Sequence, residues 1–137
     1  MVRENKRSHC PINYALEVFG DRWTLLIIRD LMFKGKHHYG EFLQSEEKIA
    51  TNILSSRLEM LENARIIKKS ADPDHSSKII YSLTDKGIDL VPVLVEVIKW
   101  SAKYDSNTAA DVKFVNKAKR DGEGLVADVR DRLKSKS

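Results

Sequence analysis

A chain of 137 residues with 42% hydrophobic and 32% charged residues is long enough for one soluble domain with an appendage. No apolar run approaches the roughly 20 residues that cross a bilayer, and no signal peptide is predicted, so membrane partners are not expected. The single cysteine excludes an intrachain disulfide and favours a cytoplasmic protein. A net charge of +4 is compatible with nucleic-acid binding, but it does not separate a DNA-binding protein from a basic enzyme.

The N-terminal segment combines a basic arm with a cysteine at a helix start. Residues 1–9 are predicted to be a flexible basic arm, and Cys10 and Pro11 then open a helix that runs to about Phe19. A cysteine in this position lies near the positive end of the helix dipole, which favours its reactive thiolate. Cys10 is therefore a candidate reactive thiol, and a small buried apolar residue is the alternative.

The next segment, from Trp23 to Phe33, is apolar on nearly every side, which predicts a buried central helix capped by Asp21. The loop after it carries basic side chains and leads into a short helix from residue 40 to about 45. Its adjacent histidines have no third ligand at a suitable spacing, so no metal site is predicted. Lys36 and His38 are instead predicted to face DNA phosphate.

The stretch from Thr51 to Asn63 has the periodicity of an amphipathic helix. Its polar arc is rich in short hydrogen-bonding side chains, whereas a solvated helix face more often carries long Lys and Glu pairs. Short side chains let a helix approach base edges in the DNA major groove, although an ordinary polar outer face is the alternative. The candidates for base contacts are Thr51, Asn52, Ser55 and Ser56.

Two strand-like runs follow at residues 66–69 and 78–83, on either side of a polar turn. A helix–turn–helix followed by two short strands describes a β-wing. Wing lysines usually contact phosphates, which positions a protein on DNA without reading sequence, and protection of a strand edge is the alternative. The predicted phosphate contacts in the wing are Lys68, Lys69, His75, Ser76 and Lys78.

The C-terminal part begins with Thr84, which is predicted to cap a long helix from Asp85 to about Tyr104 that Pro92 could bend. The apolar face of this helix is too long for a small domain to bury alone, which predicts a second copy as partner. Residues 106–137 form an extension, either a final helix packed on a dimer mate or a loose charged tail.

Four segments of the sequence together resemble the HxlR family of bacterial regulators, within the broader MarR-like winged-helix group. They are residues 10–11 with 20–31, residues 39–42, residues 54–62, and residues 81–87 with 90–94. The resemblance covers about residues 8–105, and the combination of segments is more specific than any one of them.

The resemblance implies a mostly α fold with a small β-wing, in which residues 10–105 form a winged helix-turn-helix domain with N- and C-terminal dimerisation helices. It implies a cytoplasmic homodimer that binds a pseudo-palindromic, double-stranded DNA operator and responds to a small-molecule or electrophile signal. Arg57 lies inside the apolar arc of its helix, so we interpret it as a structural ion-pair residue or a phosphate contact.

Some members of the family sense oxidants or electrophiles through an early cysteine, and Cys10 matches its position. Because the chain has no second cysteine, a disulfide would have to join two chains or take up a small thiol.

The sequence departs from the family at both ends of the predicted recognition helix and in the wing. Arg65 stands where the family usually has glycine, and a left-handed cap there would strain a residue that carries a side chain. Ala50 replaces a common serine, so Thr51 becomes the expected cap. The usual proline pair of the wing is replaced by residues around His75 and Ser76.

Other classes of function are weaker predictions. An enzyme is not expected, because no nucleophile–base pair, glycine-rich phosphate loop or paired-carboxylate site stands out. No cofactor is predicted. A protein–protein adaptor that uses the winged helix without specific DNA binding is the alternative function, since a fold does not fix a function.

Overall fold

The computed structural model describes residues 7–135, so most of the predicted N-terminal arm and the last two residues lie outside the described residues. The helices and strands, in chain order, are α1 (Pro11–Phe19), α2 (Thr24–Phe33), α3 (Tyr39–Leu43), α4 (Thr51–Asn63), β1 (Ile67–Ala71), β2 (Ile79–Leu83), α5 (Asp85–Ile88), α6 (Val91–Tyr104), α7 (Val112–Arg120) and α8 (Gly122–Ser135). The mostly α fold with a small two-stranded wing is confirmed.

Helix α2 is the centre of the core, as its composition predicts. Ile28 is fully buried, and Leu31 and Met32 are nearly so. The Asp21 carboxylate accepts hydrogen bonds from the backbone N–H groups of Trp23 (2.9 Å) and Thr24 (3.1 Å). These amides have no partner within the helix, so the Asp21 side chain caps them as predicted, although Trp23 and not Asp21 occupies the cap position itself.

Helix α4 has the predicted bounds, packs on β1 and α3, and buries a stripe of leucines. Leu54, Leu58 and Leu61 are buried at spacings of four and three residues, which places them on one face of the helix. The prediction that Thr51 caps α4 is wrong, because Ala50 occupies the cap position and Thr51 is the first helical residue. The Tyr39 hydroxyl donates to the Thr51 carbonyl oxygen at 3.0 Å, which joins α3 to the start of α4.

The end of α4 keeps a left-handed residue where the family usually has glycine, although strain was expected to disfavour it at Arg65. Arg65 has a φ of 62°. Its N–H donates to the carbonyl oxygen of Glu62 (3.0 Å), and the Ile66 N–H donates to that of Leu61 (2.9 Å). This is a Schellman cap, which usually uses glycine, so the chain keeps the cap geometry at a conformational cost.

The wing is an antiparallel hairpin in which Ile67 pairs with Leu83 and Ala71 pairs with Ile79. At its base Ile67 and Leu83 join the core, and in its turn Asp72 is buried, while the side chains from 73 to 79 are exposed. The Tyr81 N–H donates to the His37 carbonyl oxygen at 2.8 Å, which ties β2 to the loop before α3.

The predicted single helix from residue 85 to residue 104 is wrong, since the chain forms two helices with a break at Asp89 and Leu90. Thr84 caps the first of them by accepting a hydrogen bond from the Gly87 N–H at 3.2 Å. Pro92 lies in the first turn of α6, where its missing N–H has no helical partner to lose. Pro92 therefore helps to start a helix rather than bend one.

The C-terminal extension packs on its own chain. Ala118 of α7 and Leu125 and Val129 of α8 are buried in the same core as α2 and α6. The rings of Phe33 and Phe114 meet edge to face with centroids 5.6 Å apart. None of the helices between residues 7 and 135 is long and apolar enough to cross a membrane.

Candidate nucleic-acid interface

The first two turns of α4 present the four predicted base-contacting residues on one outer face. Thr51, Asn52, Ser55 and Ser56 are all exposed, whereas Leu54 is fully buried on the opposite side. The Ser55 hydroxyl lies 3.0 Å from the Tyr39 hydroxyl, which links this face to α3. The face is accessible, and contact with bases stays a prediction.

Arg57 has a partner within the chain. Its Nε donates to the Asp21 carboxylate at 2.9 Å, so the same carboxylate caps α2 and holds α4. Burial alone would raise the pKa of Asp21, but hydrogen bonds from Thr24, the Trp23 backbone and Arg57 together keep it below the usual value. Of the two interpretations of Arg57, the structure shows the ion pair, and a phosphate contact stays a prediction.

An ionic network around the buried Asp30 carboxylate fixes the turn between α3 and α4. Arg29 donates two hydrogen bonds to the Glu47 carboxylate (2.8 and 2.9 Å) and two to Asp30 Oδ1 (3.0 and 2.8 Å). The hydrogen bonds from Arg29 lower the pKa of Glu47 to about 2. Asp30 is only 3% exposed. Sequence analysis did not assign this role, although the only charged pair in an apolar helix was the available signal.

Lys36 belongs to the same network, which corrects its predicted position. Its Nζ donates to the Ser45 hydroxyl at 2.6 Å and lies 3.9 Å from Asp30 Oδ2. The Ser45 hydroxyl in turn donates to Asp30 Oδ2 at 2.6 Å. The predicted outward orientation toward phosphate is therefore wrong, because the Lys36 ammonium is already bound by buried polar groups of its own chain.

His38 is also held within the chain. Its Nδ1 lies 2.9 Å from Glu41 Oε1 and its Nε2 lies 2.8 Å from Asp72 Oδ2, so the ring bridges the start of α3 and the wing turn. The hydrogen bond with Asp72, followed by the one with Glu41, raises the pKa of His38 above its usual value. Both ring nitrogens are engaged by carboxylates, which corrects the prediction of a phosphate contact.

The wing keeps its polar side chains exposed, in contrast to the loop. Lys68, Lys69, His75, Ser76 and Lys78 are all exposed. Lys69 Nζ lies 3.8 Å from Glu62 Oε1, a loose pair at the surface. Within the described residues, Lys68 and Lys78 have no ion pair. These side chains are available to phosphate, and the contacts themselves stay predictions.

The architecture of helices, turn and wing matches a known family along most of the chain. The HxlR-like helix-turn-helix family matches residues 18–109. The chain belongs to the HxlR family. The stretch from α2 to α6 with its wing is thus the HxlR domain, whereas α7 and α8 lie beyond the matched residues.

Known members of the HxlR family and their structures agree with this assignment. The HTH-type transcriptional regulator YvaP of Bacillus subtilis is 33% identical over 101 residues, covering 73% of this chain and 93% of YvaP. The reduced form of the transcriptional regulator YodB from B. subtilis has a TM-score of 0.59 at 30% identity, covering 74% of this chain and 99% of YodB. The reduced redox regulator HypR has a TM-score of 0.61 at 27% identity, covering 69% and 92% of the two chains.

These HxlR relatives are transcriptional regulators and not enzymes. YodB has been solved in reduced, quinone-bound and diamide-treated forms, and HypR in reduced and oxidised forms. The chain is therefore a transcriptional regulator with a winged helix-turn-helix domain that binds DNA. No cluster of three or more metal-binding side chains occurs in the part of the chain that the structure describes.

Cys10 is the residue that was predicted to be a reactive thiol. It is exposed and occupies the cap position of α1, so the alternative of a buried apolar residue is wrong. Its backbone N–H donates to the Ser8 hydroxyl at 3.2 Å. The sulfur is accessible to a reagent in solution, and its reactivity stays a prediction.

Proposed function

We propose that this protein binds a pseudo-palindromic operator as a cytoplasmic homodimer and regulates transcription from it. The single observation that supports this most is the outer face of α4, where four exposed, short polar side chains stand on a helix held at its middle and at the turn before it. The Arg57–Asp21 pair joins that helix to α2, and the Arg29–Glu47 pair holds the turn before it. A rigid helix with short side chains suits docking in a major groove.

In this proposal Thr51, Asn52, Ser55 and Ser56 contact bases, and the wing contacts the flanking phosphates. Asparagine can pair with adenine through two hydrogen bonds, and serine and threonine accept or donate to several bases. Lys68 and Lys78 would meet phosphates on either side of the groove. Helix α4 would thus recognise the base sequence, and the wing would orient the protein on the DNA.

The proposed dimer uses α1 and α6. Helix α1 has no buried residue, and Ile12 and Leu16 are 70% and 58% exposed. On α6, Trp100 and Tyr104 are 67% and 68% exposed. Large apolar side chains clustered on the surface of one chain favour burial by a second copy, and a two-fold dimer would match a palindromic operator.

The test is fluorescence anisotropy of the purified protein with DNA from upstream of its own gene and of the neighbouring genes, at two salt concentrations with scrambled competitor. Saturable binding that survives the competitor is expected. Asn52→Ala and Ser56→Ala should weaken operator binding by about 1–3 kcal/mol each while leaving scrambled DNA unaffected. An equal loss on every sequence from Asn52→Ala would contradict base reading by α4.

The proposed signal is an oxidant or electrophile that reacts with Cys10. The relatives solved in oxidised or quinone-bound forms support this assignment. Diamide, a thiol oxidant, should change the affinity of the parent protein for its operator and leave Cys10→Ser unchanged. Because Cys10 is the only cysteine, non-reducing electrophoresis should show a dimer linked through two copies of it, or a mixed disulfide with added glutathione. An identical response of the two proteins to diamide would remove Cys10 from the mechanism.

The adaptor alternative is not favoured, because the relatives with which the chain aligns are transcriptional regulators. Failure of the protein to bind any fragment in a genomic DNA pool would reopen it.

A further inference from the structure

A cavity of about 310 Å³ lies where the C-terminal extension meets the winged-helix core. Its walls come from the end of α2 and the following loop, from β2 and α5, and from α8. The apolar part of the lining consists of Leu31, Met32, Phe33, Leu83, Ile88 and Leu133. Small-molecule sites occupy about 300–1,000 Å³, so this cavity suits a small ligand.

The charges around this cavity have one sign. Its charged lining residues are Lys34 and Arg132, and no carboxylate side chain is among its lining residues. A wider neighbouring cavity of about 880 Å³ shares Lys34 and Arg132 with it, but that cavity is also lined by carboxylates, among them Asp30, Glu47 and Asp128. An anion therefore meets no opposing carboxylate in the smaller cavity, whereas it meets several in the larger one.

Arg132 is held in place with donors to spare. Its Nη2 donates to the carbonyl oxygen of Met32 at 3.0 Å, which fixes the guanidinium over the end of α2. A guanidinium has five N–H donors in a planar fork that matches a carboxylate. Among residues 7–135, no carboxylate lies within ion-pair distance of Arg132.

His37 contributes a second and independent observation. Its Nδ1 is buried and has no hydrogen-bond partner within the described chain. The backbone of His37 is fixed on both sides, since its N–H donates to Glu41 Oε1 (3.0 Å) and its carbonyl oxygen accepts from the Tyr81 N–H (2.8 Å). The ring lines the cavity, and a buried polar atom without a partner is costly, so a ligand toward which the ring turns and which supplies the partner is favoured.

We propose that this cavity binds a small organic anion, namely a monocarboxylate with an apolar body. The carboxylate contacts Arg132 and His37, and the body packs against Met32, Leu83 and Leu133. Two of these five residues come from α8, which lies beyond the family's matched residues, so the site belongs to this chain's extension rather than to the HxlR domain alone. The bound anion would contact both the wing strand β2 and α8.

The experiment is isothermal titration calorimetry of the full chain, without DNA, with benzoate, hexanoate and the uncharged benzamide as probes. At least one of the two carboxylates is expected to bind saturably, with a dissociation constant on the order of 1 mM for ligands this small. Benzamide is expected to bind at least about tenfold more weakly, since it lacks the charge that Arg132 recognises. The imidazole ¹⁵N signals of His37 should shift on addition of the carboxylate that binds.

Substitutions at two arginines of α8, Arg132 and Arg130, provide a matched pair. Arg132→Gln should weaken carboxylate binding about tenfold or more, and Arg132→Lys should restore part of it. Arg130→Gln is the control, because Arg130 lies two residues away, pairs with Asp89 at 2.9 Å and does not line the cavity. Circular dichroism confirms that each variant is folded.

Three results would each overturn the proposal. One is the absence of binding by both carboxylates up to about 10 mM, ten times the expected dissociation constant. The others are equal affinity for benzamide and for the carboxylate that binds, and equal weakening by Arg132→Gln and Arg130→Gln. Because no DNA is present, these results leave the operator proposal untouched.

Discussion

The loop at residues 36–38 and the wing at residues 67–83 both carry basic side chains, but only the wing presents them to solvent. Lys36 ends beside Asp30 and Ser45, and the His38 ring has a carboxylate at each nitrogen. Lys68 on β1 and Lys78 just before β2 are both exposed. Nearby carboxylates of the same chain thus decide which positive charges remain available to DNA phosphate.

The strongest way to break this contrast is to remove the carboxylate that anchors the loop. Asp30→Ala leaves Arg29, Lys36 and Ser45 without a buried acceptor, so the free energy of unfolding should fall by about 3 kcal/mol in urea denaturation. Asp74→Ala, at the exposed tip of the wing, is the matched control and should change stability by less than about 0.5 kcal/mol. Similar stabilities for the two variants would show that the network is not an anchor.

The contrast can be sharpened by removing one lysine from each region and measuring DNA affinity at several salt concentrations. Lys78→Met should weaken binding to every DNA severalfold and lower the slope of log affinity against log salt by about one, since one phosphate contact is lost. Lys36→Met should leave that slope unchanged, because its ammonium is bound inside the chain. A reduced slope for Lys36→Met would mean that the loop opens toward DNA.

A third variant tests the turn that leads from α4 into the wing. Arg65→Gly should raise the free energy of unfolding by about 0.5–1 kcal/mol, because glycine adopts the positive φ of this position without a clash between side chain and backbone. Glu59→Gly, on the exposed face of α4, should lower it by about 1 kcal/mol, because a left-handed conformation is not required there. Thermal or urea denaturation distinguishes the two signs.

The smallest effect is expected from the bridge between the loop and the wing, and it depends on pH. The raised pKa of His38 means that its contribution is fully present below its unfolded value of 6.5 and is lost as the pH rises through the folded pKa. The lowered pKa values of Glu41 and Asp72 mean that their contributions are present above 4.5 and 3.8 and are lost as the pH falls through the folded values. The bridge is therefore strongest above pH 4.5 and below pH 6.5, where both carboxylates are charged and His38 is protonated.

Urea denaturation at pH 6 and pH 8 measures this bridge. The parent protein should exceed His38→Gln in stability more at pH 6 than at pH 8, by a small margin because the ring is partly in water. His9→Gln removes an exposed histidine from the N-terminal segment and should show no such dependence. The same difference between parent and His38→Gln at both pH values would contradict the assignment.

Most helices and strands could be predicted from the sequence because their bounds depend on residues that are close together in the chain. The bounds of α4 follow from apolar residues three and four positions apart, and the capping hydroxyl of Thr84 lies next to the helix it caps. The break between α5 and α6 was missed because Pro92 is equally compatible with a bend inside one helix and with the first turn of another. The packing of α7 and α8 depends on contacts that no repeat in their own sequence specifies.

The site was predicted less well for the same reason. The exposed face of α4 follows from helical period, but the partners of the basic residues are distant in sequence. His38 meets Asp72, Arg57 meets Asp21 and Lys36 meets Ser45, at separations of 34, 36 and 9 residues. Side-chain spacing within one helix reveals neighbours only three or four residues away, so these pairings require the folded chain.

The capping residue Thr84 also fastens α5 to the end of α4. Its hydroxyl donates to the Arg65 carbonyl oxygen at 2.5 Å, and Lys86 Nζ donates to that of Ala64 at 2.9 Å. Gly87 lies so close to the Ile66 carbonyl oxygen that a Cβ would not fit. Helix α4 is thus linked to α5, which together with α6 forms an arm, so that α4 and the arm would move together.

Because of this linkage, a rotation of α6 at the proposed dimer contact would displace α4 along the DNA. Helix α6 has 14 residues and is about 21 Å long, so tilting it by about 10° around its far end moves its near end by about 4 Å. One base-pair step of DNA is about 3.4 Å. A modest tilt of the arm would therefore put the two reading helices of a dimer out of phase with the two halves of a palindrome by about one step.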